Sequence, residues 1–224
     1  MEAEYGSLYV LHGESTEITS YDYHAYLVGQ RISLQRPQNF FFDEISVTYA
    51  YLGDFDQASL LKRFHRLKKS NYHQYLLSKK LGKRIVVSGD YTSESGVNTF
   101  RQAFKIRLPE FRAIDSFHFE NYQRSGRPSG YGVGVHAEKS LAKLLKLGGG
   151  YAGIDWNYGR LNSDHFSVGK RLYATANVAI SSEFSTALFV TRAIANDYPL
   201  PVRTRVDLVF SYNLLNSLKR TGLF

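Results

Sequence analysis

From Val202 to Leu215 the side chains alternate almost without a break. One parity reads Val202, Thr204, Val206, Leu208, Phe210, Tyr212 and Leu214; the other reads Arg203, Arg205, Asp207, Val209, Ser211, Asn213 and Leu215. Successive side chains of a strand project to opposite sides, so a period of two means two faces in two different solvents. The run outlasts an ordinary strand of about 5 to 6 residues and suits a tilted membrane-crossing strand of roughly 9 to 11. An earlier stretch repeats it, with Leu172, Ala174, Ala176, Val178 and Ile180 opposite Arg171, Tyr173, Thr175, Asn177 and Ala179. An apolar face against lipid, backed by arginine, threonine and asparagine against water, is the polarity of a transmembrane β-barrel wall.

The same alternation runs through the rest of the chain. Phe100, Phe104, Ile106 and Leu108 oppose Arg101, Ala103, Lys105 and Arg107, and Tyr131, Val133, Val135 and Ala137 oppose Gly132, Gly134, His136 and Glu138. Between Tyr21 and Leu34 the parity switches near Gly29, which suggests a bulge. Turns are expected near 36–39, 78–83, 108–112, 139–146 and 181–185. Longer connections rich in Gly, Pro, Asn, Asp and Ser are expected at 14–19, 53–71, 93–97, 123–130, 159–166 and 196–201. The expected fold is therefore all-β, an antiparallel transmembrane barrel of about 12 strands within a range of roughly 10 to 14. It forms a single domain over 1–224, with 216–224 as a C-terminal tail. The alternative is a soluble β-sandwich or lipocalin-like barrel.

In this architecture the chain resembles the bacterial outer-membrane β-barrel proteins. Members of that class often end in an aromatic residue, and this chain ends in Phe224, although Gly222 and Arg220 stand where the family pattern has an aromatic and an apolar residue. The resemblance implies an outer-membrane location, with the lipid bilayer and lipopolysaccharide as surroundings. Small porins for acidic oligosaccharides are similar in length, inferred strand count and arginine-rich lumen.

Composition narrows the chemistry. There is no cysteine, which removes disulfides, thiolate metal sites and cysteine nucleophiles. No apolar run approaches the roughly 20 residues of a transmembrane helix, so any crossing is made by strands. Met1-Glu2-Ala3-Glu4-Tyr5 has neither a basic n-region nor an apolar h-region, so no signal peptide is expected, and a barrel reading implies a mature or recombinant form of an exported protein. The formal charge of +8 points to acidic partners. Nucleic acid is not expected, since the cations are scattered at alternating positions and no binding motif is present.

Charged side chains are not tolerated in lipid. Those on the polar parity are therefore expected to line a pore: Arg84, Arg101, Lys105, Arg107, His136, Arg171, Arg203, Arg205 and Asp207. A cationic lining concentrates anions, so the expected function is passive passage of small anionic solutes, with Arg203 and Arg205 gripping carboxylate or phosphate by forked hydrogen bonds. Against this stands a lumen braced shut by ion pairs, as in small filled barrels. In Gln57 to Lys69, Leu60, Leu61, Phe64 and Leu67 share one helical face, while Lys62, Arg63, Arg66, Lys68 and Lys69 crowd the rest. Such a helix would lie on anionic headgroups or fold inward as a constriction; a solvated loop is the plainer reading.

Seven histidines show no metal-ligand spacing, and no metal or cofactor is expected. Gly148 to Gly150, expected to open a strand running on to Tyr158, lack the Lys-Ser/Thr pair of a phosphate loop and are expected instead to permit a tight turn and close backbone approach. An enzyme is not expected. The minor alternative is a lipid acylhydrolase, with inward His136 as base for a serine such as Ser116 or Ser88, or a loop group around His165, Asp164 and Ser163. The other alternative is a gate or sheath subunit of an export assembly, with a periplasmic partner protein.

Overall fold

The structure is a computed structural model, and it describes residues 1–9, 11, 13, 25–35, 40–54, 70–94, 96–125, 129–155, 169–195 and 204–213. Among these there are twelve strands and no helix: β1 (Glu2–Leu8), β2 (Ala25–Gln35), β3 (Glu44–Asp54), β4 (Tyr72–Leu81), β5 (Ile85–Glu94), β6 (Val97–Arg107), β7 (Ser116–Ser125), β8 (Gly130–Ala142), β9 (Leu145–Ile154), β10 (Gly169–Ala179), β11 (Phe184–Ala193) and β12 (Thr204–Tyr212). Each pairs antiparallel with the next in a single sheet ordered β1 to β12. Most of the connections expected from sequence meet a junction of consecutive strands, but 78–83 and 139–146 are too wide, since β4 runs on to Leu81 and only residues 143–144 separate β8 from β9; those at 14–19, 36–39, 159–166 and 196–201 lie outside the described residues. That from β5 to β6 is the tightest of those expected to be loops, passing through Gly96 at φ 85°. Only Gly and a few polar residues adopt that left-handed conformation cheaply.

The alternation becomes burial. On β3, Ser46, Thr48, Ala50 and Leu52 are buried while Val47 and Tyr49 are exposed; on β4, Tyr72, Gln74, Leu76 and Ser78 are buried while Tyr75 and Leu77 are exposed. The inner face is mostly polar and charged. The outer face is apolar, reaching 61% exposure at Val206 and 63% at Phe210. A flat single sheet would leave both faces equally open, so burying one of them this deeply fits the curl of a barrel-like wall.

The bulge expected near Gly29 is not there. β2 pairs with β3 in unbroken register from Ala25↔Asp54 to Gln35↔Glu44. Leu27, Arg31 and Ser33 are buried on one parity and Ile32 is exposed on the other, although Val28, on the parity of Ile32, is buried as well. Gly29 breaks the pattern for another reason: a Cβ there would collide with Ala50 and the carbonyl of Tyr49. Among the described strand pairs the one register shift falls between β8 and β9, at Ser140/Ala142.

Among the described residues, apolar packing inside gathers into two small clusters near the loop end. Leu8, Leu27, Ala50, Leu52 and Tyr72 form one; Tyr122, Ala152, Ile154 and Tyr173, with Phe189 against them, form the other. Beyond β1, the described residues Tyr9, Leu11 and Gly13 lie against the inner face. Arg31 donates to the carbonyl of Tyr9, Gln74 Nε2 donates to that of Leu11 at 2.7 Å, and Gly13 rests against Ser88 and Leu76.

Candidate functional site

The strand registers set inward residues in rows around the wall. One row runs Lys105, His118, His136, Gly150, Tyr173, Thr191 and Arg205 across β6 to β12. Gly150 is what lets it close up. With no side chain on β9 at that point, the His136 and Tyr173 rings reach across and stack, centroids 5.6 Å apart and 3° from parallel. The Tyr173 hydroxyl donates to the Val135 carbonyl at 3.2 Å and lies 3.1 Å from His136 Nδ1. A Cβ on Gly148, one row toward the turns, would stand 2.6 Å from Thr175 Oγ1 and 2.7 Å from the His136 ring. The glycine run thus serves close approach inside β9 and makes no tight turn there.

The next row holds Arg107, Ser116 and Glu138. Ser116 Oγ donates to Glu138 Oε2 at 3.1 Å and lies 3.4 Å from His118 Nε2. Lys146 Nζ donates to Glu138 Oε1 at 2.8 Å, and His136 Nε2 lies 3.4 Å from that oxygen. This cluster opens into a cavity of about 610 Å³ at the short-turn end. Five cations, Lys83, Arg84, Lys105, Arg107 and Lys146, line it against two carboxylates, Asp115 and Glu138. Asp115 accepts from Lys139 Nζ at 2.7 Å and from the Ser140 amide at 2.8 Å. Those two bonds hold its carboxyl below the ordinary aspartate range.

Toward the middle of the wall the charges are shut in. Arg101 Nη1 donates to Asp90 Oδ2 at 2.9 Å, and Glu120 and Arg171 are each 1% exposed. Arg205 Nε bonds its own strand neighbour Asp207, at 3.0 Å to Oδ1.

The residues expected to line a pore therefore have different fates. Arg101, Lys105, Arg107, His136, Arg171, Arg205 and Asp207 all fall on the inward parity of their strands. Arg84 sits in the β4–β5 turn, where it pairs with Glu110 at 2.6 Å and lines the mouth of the cavity. The excess of cations read along the chain is partly cancelled by cross-strand partners, Asp90 above all. Arg203, the basic stretch with Lys62, Arg63, Arg66, Lys68 and Lys69, the His165 group and the 216–224 tail lie outside the described residues. Of the serines considered for His136, Ser116 is near, but the imidazole beside it belongs to His118, and Ser88 lies apart on β5 under Gly13. His118 and Glu120 escaped the sequence reading, although Ser116, His118, Glu120 and Tyr122 alternate with Phe117 and Phe119. That signal was available.

Comparison with protein-family models, curated proteins and solved structures finds no match to this chain.

Proposed function

We propose that this protein is an outer-membrane β-barrel through which small anionic solutes pass, entering or leaving by the basic cavity at the short-turn end. The observation that carries the reading is the outer wall. Leu172, Leu188, Val206, Leu208 and Phe210 form an exposed apolar face on three consecutive strands, and Tyr75, Tyr91, Phe100 and Tyr131 continue it around the sheet. Water-soluble monomers rarely expose contiguous apolar surface beyond a few hundred Å². A bilayer is the solvent that matches it, and the charged inner face then belongs to water. The cavity supplies the sign of the solute, since cations lining a confined space raise the local concentration of anions.

Planar-bilayer recordings under a salt gradient test this reading. The expected reversal potential shows anion preference, reduced in Lys105→Ala/Arg107→Ala; channels with no anion preference would contradict it.

A second reading is favoured by the enclosed middle of the wall, where Arg101, Asp90, Glu120, Tyr122 and Arg171 are buried. A barrel filled in this way suits a gate or sheath that opens only with an export partner. It would conduct nothing alone and gain conductance when that partner is added.

A further inference from the structure

Glu138 occupies the place an incoming anion would take. Lys146 Nζ at 2.8 Å and Ser116 Oγ at 3.1 Å bond its two oxygens, and His136 Nε2 at 3.4 Å and His118 Nε2 at 3.9 Å stand close by. Four polar groups from β7, β8 and β9 thus converge on one carboxylate. Lys146 alone would neutralise it. The remaining groups build a cradle for an anion with several acceptor oxygens in different directions.

The cradle is continuous with the cationic cavity. In the registers Arg107 stands opposite Ser116 and Lys105 opposite His118, so the next strand adds two cations beside the converging groups. Lys83 and Arg84 close the far side from the β4–β5 turn. The other acidic groups nearby are engaged elsewhere, Glu110 with Arg84 and Asp115 with Lys139.

We propose that the cradle and cavity form a binding site for solutes bearing a phosphate or polyphosphate group, and that Glu138 is an internal stand-in that the phosphate displaces. This rests on the anion-passage reading and gives it a substrate class. A carboxylate presents two oxygens in one plane, which Lys146 and Ser116 already take up in Glu138, whereas a phosphate dianion presents more oxygens in a tetrahedral arrangement, enough to engage Ser116, Lys146, Lys105 and Arg107 together. The stand-in also keeps the cations from holding each phosphate too long, as weak binding is needed for release.

The test is calorimetric titration of inorganic pyrophosphate into the full-length protein folded in detergent, with citrate in parallel. Pyrophosphate should bind and citrate should bind at least about tenfold more weakly. Removing the competing charge by Glu138→Gln should tighten pyrophosphate binding about tenfold. Lys105→Ala/Arg107→Ala should weaken it by at least as much. Phosphorus-31 line broadening on the unsubstituted protein gives a readout that does not depend on any variant folding. Absence of pyrophosphate binding, equal binding of citrate, or an affinity unchanged in Glu138→Gln would each overturn the proposal. Because binding is read without conductance, anion-selective channels that bind no pyrophosphate would sink this site and leave anion passage standing.

Discussion

Arg101 and Asp90 face each other directly across β6 and β5 at 2.9 Å, and each side chain is only 2% exposed. An ion pair this enclosed braces the wall. Removing one partner of a buried pair leaves an uncompensated charge and typically costs about 3–5 kcal/mol, whereas an apolar pair of similar volume is often neutral. Arg101→Ala should therefore lower the urea midpoint of the lipid-embedded protein sharply, while Arg101→Met/Asp90→Leu should stay near the original. A single substitution that left stability untouched would show that the pair is not enclosed.

Gly13 lies against β4 and β5 on the inner face, beside Leu76 and Ser88. Its φ is 58°, and a Cβ there would fall 2.6 Å from Ser88 Oγ and 3.2 Å from Leu76. A β-branched residue adds roughly 1–2 kcal/mol of left-handed backbone strain to that collision. Gly13→Val should push this residue off Ser88 and Leu76 with little loss of strand structure and should raise single-channel conductance. Unchanged conductance would mean that this residue does not obstruct the interior.

Asp115 ties the β6–β7 turn to β8 through Lys139 and the Ser140 amide. Its folded-state pKa is lowered from the ordinary 3.8, chiefly by the Lys139 hydrogen bond and then by Ser140. A depressed carboxylate stabilises the fold fully above its unfolded pKa and loses that contribution as pH falls through the folded value. The turn should thus hold unchanged at neutral pH and weaken only below about pH 4. Asp115→Asn should remove that acid-side dependence, read as amide exchange at Ser140 across a pH series.

Much of the wall was legible in the sequence because burial follows strand parity, and parity is written residue by residue. In β10 and β12 one parity carries Leu172 or Val206 and the other Arg171 or Arg205, and the structure keeps them apart. The number of strands followed from the same alternation and from turn residues. Gly29 misled because a glycine gap resembles a change of phase; it is explained by Ala50 on the neighbouring strand, which no local window contains. The cluster around Glu138 was beyond a single-strand reading for a similar reason. Ser116, His136 and Lys146 come together only through the registers of three strands, and Gly148 and Gly150 matter through the rings they admit. Asp90 cancels Arg101 by the same kind of cross-strand placement, so counting cations along the chain overstated the free charge inside.

Whether the apolar outer wall lies in a bilayer is tested most directly by folding the protein with and without detergent. A membrane-spanning barrel should stay monodisperse only when detergent or lipid is present, and its folded form should migrate differently on a gel before and after heating. A protein that remains monodisperse in plain buffer, with migration indifferent to heating, would contradict the membrane-spanning barrel.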